Sequence, residues 1–175
     1  MEPENIYLIG LMGVGKTTIG KQLAKVLKRP FYDSDKAIEA LTGVSIPTIF
    51  AIEGEAGFRE REHKMIQELT RLQGIVLATG GGAILFEENR VALQQTGFVV
   101  YLKCSIDRIL ERTKRDANRP LLQTENPRAR IKSLFIEREP LYLKCADYQI
   151  DTGAMPNKVV VSRILEKYHA RSPQI

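Results

Sequence analysis

Gly10, Gly15, Lys16 and Thr17 occupy the fixed positions of the pattern G-x-x-x-x-G-K-[ST], spelled here Gly10-Leu11-Met12-Gly13-Val14-Gly15-Lys16-Thr17. The chemistry such a stretch can do is to cradle phosphate. Glycines let the backbone curl so that successive amides point inward at phosphate oxygens, and a helix starting behind them adds the positive end of its dipole. A lysine at position 16 neutralises β and γ oxygens. A hydroxyl at Thr17 can ligate a Mg²⁺ ion bridging the same phosphates. A glycine-rich turn with an incidental lysine has the same spelling, but it would not need a strand before it and a helix behind it.

Phosphate loops serve kinases, switches and motors alike, so the remaining chemistry must come from an acceptor side. Asp33 and Asp35 stand one residue apart at the end of a short apolar stretch, which in extended chain turns both to the same side. One can hold Mg²⁺ through water while the other binds a substrate hydroxyl and takes its proton. Helix capping by Asp33, Ser34 and Asp35 ahead of a helix from Lys36 to Leu41 is the alternative. Arg59 follows Gly54 and Gly57 at what reads as a helix start, with Glu62 three residues on to hold its guanidinium for a bidentate contact; a solvated helix charge is the plainer option, and Arg61 is expected to face solvent. Three glycines, Gly80 to Gly82, permit close approach to a ligand where a plain turn needs fewer. Arg119, followed by Pro120, Leu121 and Leu122, suits a lid carrying positive charge, or else an exposed basic loop. Arg138 sits on a helix that Pro140 interrupts, where a buried arginine needs an anion. Two arginines from distant sequence, Arg59 and Arg138, suit a carboxylate whose plane must be fixed.

The elements that must position these residues alternate. Strands are expected at Asn5 to Ile9, near Pro30 to Asp33, at Ile75 to Ala78, at Phe98 to Leu102 and at Tyr148 to Ile150, with helical periodicity between them, the first helix running through Leu27. Such alternation implies a parallel sheet with helices on both faces and ligands at the carboxyl ends of the strands. Between Lys114 and Pro127 the periodicity fails, and this segment is expected to be a mobile loop within the same domain.

With 175 residues the chain has the size of one domain, and 43% hydrophobic against 27% charged residues is the balance of a globular protein. The net charge of +5 spreads 26 basic and 21 acidic side chains without a run of five like charges, which argues for an anion site rather than nucleic-acid binding. Cys104, Cys145, His63 and His169 lack metal-ligand spacing. No basic-then-apolar amino-terminal segment is visible, so a reducing cytoplasm with no membrane attachment is expected.

In order along the chain, the phosphate loop, Asp33 and Asp35, Gly57-Phe58-Arg59, Gly80-Gly81-Gly82, Arg119-Pro120-Leu121-Leu122 and Arg138 to Tyr142 resemble shikimate kinase over almost the whole length. The resemblance implies a three-layer α/β P-loop kinase fold with a five-stranded parallel sheet, similar to nucleoside monophosphate kinases and closing a lid near 114–127. It implies transfer of the γ-phosphoryl group of ATP to the 3-hydroxyl of shikimate, on the route through chorismate to aromatic amino acids, with Mg²⁺ as cofactor. Carried onto this chain, Lys16, Asp35 and Arg119 would be catalytic. ATP would be bound by Gly13, Val14, Gly15, Lys16, Thr17, Thr18, Arg112 and Arg119, with Arg112 stacking on adenine and Ile150 to Thr152 along its other side. Shikimate would meet Asp35, Phe50, Phe58, Arg59, Gly80, Gly81, Gly82 and Arg138, and Mg²⁺ would meet Thr17 and Asp33. A site complete in one chain makes a monomer sufficient. A kinase of another small acid or polyol such as gluconate, or a nucleotide-dependent switch or nucleic-acid-binding protein, would share the loop; the latter pair would leave the two acceptor arginines unexplained.

Overall fold

The computed structural model describes residues 4–116 and 119–171. Strands β1 (Asn5–Ile9), β2 (Phe31–Asp33), β3 (Val76–Ala78), β4 (Gly97–Lys103) and β5 (Tyr148–Asp151) form one sheet in the order β2-β3-β1-β4-β5, every pair parallel. β1 is the central strand, with Leu8 opposite Ala78 on one side and Val100 on the other. All of its residues are buried, because a parallel strand covered on both faces has no side to give to water.

The covering helices are α1 (Lys16–Leu27), α2 (Ser34–Thr42), α3 (Ile46–Leu69), α4 (Glu87–Thr96), α5 (Ile106–Thr113), α6 (Pro127–Cys145) and α7 (Asn157–Arg171). α1 packs with α7, and α4 packs with α6 against β4, so helices lie on both faces of the sheet. Among the described residues no single helix is long and apolar enough to cross a membrane.

Several expected boundaries move. The second helix starts at Ser34 rather than Lys36, so Asp35 lies in its first turn and not in extended chain, and strand alternation does not set the direction of its side chain. The helix expected to open at Gly54 and Gly57 begins a full two turns earlier, at Ile46, with Ser45 accepting from the Thr48 amide; Gly54 (φ 72°) marks a kink inside it. α6 continues through Pro140, which therefore interrupts a helix without ending it. The aperiodic stretch contains a 3₁₀ turn at Pro120–Leu122 before α6 begins at Pro127; Ala117 and Asn118 of the expected lid, and residues 172–175 of the tail, lie outside the described residues.

Candidate active site

The carboxyl ends of three adjacent strands deliver the first half of the site. β1 runs into the phosphate loop, whose last glycine, Gly15, caps α1 in a left-handed conformation (φ 101°) that a side chain would strain. β2 ends in Asp33, and the Thr17 hydroxyl donates to its Oδ2 at 2.8 Å. Asp33 Oδ1 accepts from the backbone amides of Asp35 and Lys36. The carboxylate thus caps α2 with one oxygen and reaches the phosphate loop with the other, so capping and site function coexist. β3 leads into Thr79 and the glycine triplet, and Ser34 Oγ accepts from the Gly80 amide at 2.8 Å. These segments line a cavity with Gly13, Gly15, Lys16, Thr17, Thr18, Arg112 and Arg119 on its walls.

Lys16 and Arg112 both bond to the loop they face. Lys16 Nζ donates to the carbonyl oxygens of Gly10 and Leu11, the latter at 2.8 Å, and Arg112 Nη1 donates to Gly13 O at 2.9 Å. From the opposite side the Thr152 hydroxyl donates to Val14 O at 2.6 Å. The carbonyls of Gly10, Leu11, Gly13 and Val14 are therefore occupied by donors.

An adjoining pocket is lined by Asp35, Phe50, Phe58, Arg59, Glu62, Gly81, Gly82, Pro120, Leu121 and Arg138, with Met12, Ile46 and Arg119 completing its wall. Phe50 and Phe58 form an apolar wall, ring centroids 4.9 Å apart. Arg59 and Arg138 are both buried, at 8% and 2% exposure, which for guanidinium groups demands a nearby anion. Glu62 meets that demand for Arg59, accepting from Nη1 at 2.8 Å, with Glu55 more distant from Nη2 at 3.4 Å. Arg138 makes no ion pair with a described carboxylate. The Nε atoms of both arginines, Asp35 Oδ1 and Glu62 Oε2 are buried without a hydrogen-bond partner among the described residues. Orphaned donors and acceptors so concentrated in one pocket are what a polar ligand would satisfy.

The glycine triplet makes this packing possible. A Cβ on Gly80 would come within 2.4 Å of Glu62 Oε2 and 2.7 Å of Asp35 Oδ1, and one on Gly82 within 2.2 Å of Arg59 Nη1. On Gly81 it would meet Arg138 Nη1 at 3.3 Å, a tight contact that the end of the arginine side chain would have to relieve by a few tenths of an ångström. The Tyr142 hydroxyl, one turn after Arg138, donates to Gly81 O and pins the triplet to α6.

Burial sets the electrostatics. It pulls the Lys16 ammonium down to about 7, with Arg119 adding to the effect. It pushes the Glu62 carboxyl up to about 7 even though Arg59 opposes it. Asp35 is raised above the usual carboxylate range by burial and then by Asp33. Displaced titration of this kind concentrates where ligands supply the missing charge.

A family model described as Shikimate kinase matches residues 12–169. The chain belongs to the shikimate kinase family. It is 55% identical over 164 residues to the shikimate kinase of Methylococcus capsulatus, covering 94% of this chain and 92% of that protein. The Bordetella avium shikimate kinase is 54% identical, covering 94% of this chain and 79% of that one. The shikimate kinase from Acinetobacter baumannii, solved in complex with shikimate, superposes with a TM-score of 0.95 at 48% identity, covering 98% of this chain and 96% of that one. The expected fold and activity stand: this is a P-loop kinase fold, and the enzyme carries out ATP-dependent phosphorylation of shikimate.

The enzyme brings together nearly all the residues singled out in its sequence. Gly80 and Gly81 line the cavity at the phosphate loop, Gly81 and Gly82 the adjoining pocket, and Asp35 and Arg119 line both, at their junction. The Val14 side chain is buried in the core, so Val14 has only its backbone to offer a ligand, and neither it nor Ile150 to Thr152 lines the cavity at the phosphate loop. Asn157, at the start of α7, lines it instead, as do Met12 and Thr79. Nothing in the local sequence marks Asn157, since only folding brings the start of α7 to this cavity. Tyr142, whose hydroxyl holds the triplet, could be found only by its place beside Arg138. Arg61 does not face solvent alone but pairs with Glu53 at 2.6 Å.

Proposed function

We propose that the enzyme transfers the γ-phosphoryl group of ATP to the 3-hydroxyl of shikimate through the following division of labour. Arg59 and Arg138 hold the shikimate carboxylate, Phe50 and Phe58 wall its ring, and Gly80 to Gly82 let it approach the backbone. Asp35 accepts a hydrogen bond from the 3-hydroxyl and receives its proton as the oxygen bonds to the γ-phosphorus and the bond to the β–γ bridging oxygen breaks. The amides from Gly13 to Thr18 cradle the phosphates, Lys16 exchanges loop carbonyls for phosphate oxygens, and Arg112 flanks the adenine. Arg119, at the junction of the two cavities, meets charge that develops on the transferring group.

Thr17 and Asp33, paired at 2.8 Å on the cavity wall, are hard oxygen donors of the kind Mg²⁺ takes, alongside phosphates and water. Held by Thr17 and Asp33, Mg²⁺ would supply positive charge that offsets the charge of the phosphates. The segment 114–127 serves as the lid of a single kinase domain, a role supported by the position of Pro120 and Leu121 on the wall of the shikimate pocket. Both halves of the site come from one chain, which supports a monomer. The free thiols of Cys104 and Cys145 and the use of ATP support a cytoplasmic enzyme, and its interspersed charge supports action on small molecules without nucleic acid or membrane.

The observation that carries this assignment is the pair of buried guanidinium groups facing Asp35 in a pocket that opens onto the phosphate loop. Coupled measurement of ADP release with shikimate, quinate and gluconate tests it: turnover is expected with shikimate, lost in Asp35→Ala while nucleotide binding persists. Asp35→Ala with normal turnover, or with ATP affinity lost instead, would refute the role given to Asp35.

A further inference from the structure

Glu62 is wholly buried, yet only one of its oxygens is used. Oε1 accepts from Arg59 Nη1, whereas Oε2 and the equally unpartnered Asp35 Oδ1 flank Gly80, separated by no more than the sum of their distances to the missing Cβ, 2.4 and 2.7 Å. The ionisable groups facing Glu62 are Arg59 and its outer partner Glu55 on α3, Asp35 on α2, and Arg138 with the Tyr142 phenol on α6. Arg59 is engaged by Glu62 on Nη1 and leaves Nε unpartnered, so an incoming carboxylate that uses the Nε and Nη2 edge would share one guanidinium with Glu62.

We propose that Glu62 couples acceptor binding to proton uptake: as a carboxylate it neutralises Arg59 in the empty pocket, and it takes a proton from solvent when the substrate carboxylate settles on Arg59 and Arg138. This deepens the assignment of the two arginines to the shikimate carboxylate and rests on it. The physical reason is charge balance in a space with little water. A second anion on the same guanidinium weakens the hold of Arg59 on Glu62, and like charges repel strongly where the dielectric is low. Burial already holds the carboxyl up at about 7, so a modest further push protonates it at neutral pH. The neutral form carries an O–H where Oε2 had no partner and faces Asp35 Oδ1 across Gly80, directly or through one water. Protonation thus turns two orphan acceptors into a donor and an acceptor, and the net charge of the pocket is unchanged by the substrate. Glu62 acts here as a positioning residue, since it works through Arg59 and Asp35.

Isothermal titration of shikimate into the full chain above pH 7, in buffers of different ionisation enthalpy, measures the protons exchanged. The wild-type enzyme is expected to take up a proton fraction approaching one, with a dissociation constant rising by up to ~10-fold per pH unit above about 7 until Glu62 ionises in the complex as well. In Glu62→Gln, which keeps an oxygen for Arg59, the uptake and the slope should vanish. Infrared difference spectra of the wild-type enzyme, with and without shikimate, should gain a protonated-carboxyl band; this readout needs no variant to fold. Binding heat independent of buffer, no new carboxyl band, or uptake that survives in Glu62→Gln and so belongs to another group such as Lys16, overturns the inference alone. Absence of any shikimate heat overturns the acceptor assignment and the inference with it.

Discussion

Replacing Gly82 by alanine isolates the contribution of Arg59 without touching Arg59. The backbone at Gly82 has φ −95°, which any residue adopts, so alanine introduces no backbone strain. Its Cβ would stand 2.2 Å from Nη1, 2.3 Å from Cζ and 2.6 Å from Nη2 of Arg59, and the guanidinium must swing away. The arginine is the far end of a flexible side chain, so the fold can give. Glu62 loses its partner, but burial already holds its carboxyl up at about 7, and protonation limits the cost. What is lost is a charge-assisted contact to the substrate carboxylate, ~1.5–3 kcal/mol, or a rise in KM for shikimate of ~10- to 150-fold. Coupled ADP release against shikimate concentration measures it, with ATP affinity as the control expected to stay near wild type. Gly81→Ala, whose Cβ would meet Arg138 Nη1 at 3.3 Å, should be the mildest of the triplet. Gly80→Ala, which strikes both Glu62 and Asp35, should depress turnover as well. A wild-type KM in Gly82→Ala, or Gly81→Ala as the most damaging of the three, would refute the view that the triplet exists to admit these side chains.

Stability should depend on pH through two buried groups of opposite sense. Glu62 is raised from 4.5 to about 7, so the stability it contributes is present below 4.5 and lost as pH rises to about 7, on the order of 3 kcal/mol. Lys16 is lowered from 10.5 to about 7, so its contribution is present above 10.5 and lost as pH falls to about 7. Urea unfolding across this range should show the falling limb removed by Glu62→Gln and the rising limb by Lys16→Met; curves parallel to wild type would contradict the burial argument. Thr17→Val, which keeps shape but removes the hydroxyl paired with Asp33, should raise the Mg²⁺ concentration needed for half-maximal turnover on the order of 10- to 100-fold, whereas an unchanged Mg²⁺ titration would remove Thr17 from the metal site. Arg119→Ala should lower kcat by ~10²- to 10³-fold with KM for shikimate nearly unchanged; the opposite split would make Arg119 a ground-state binder.

What sequence alone determined about this protein is everything carried by local pattern. The strand, glycine loop and helix from Asn5 to Leu27 were legible because hydrophobic period, loop chemistry and helix start all lie within one short stretch. Five strands alternating with helices implied a parallel sheet, because strands covered on both faces must be apolar throughout; that Arg59 and Arg138 are buried, and so demand an anion, came only from the folded chain. Tertiary structure decided how distant segments meet. That Asp35 sits on a helix, that Asn157 lies by the phosphate loop, and that Thr152 braces Val14 O depend on contacts far apart in the chain, which no local period encodes. The glycine triplet shows the division most clearly. In sequence Gly80 to Gly82 could be a turn or an approach for a ligand; only the assembled helices α2, α3 and α6 reveal that the missing side chains make room for Asp35, Glu62, Arg59 and Arg138, because excluded volume is a property of the packed whole.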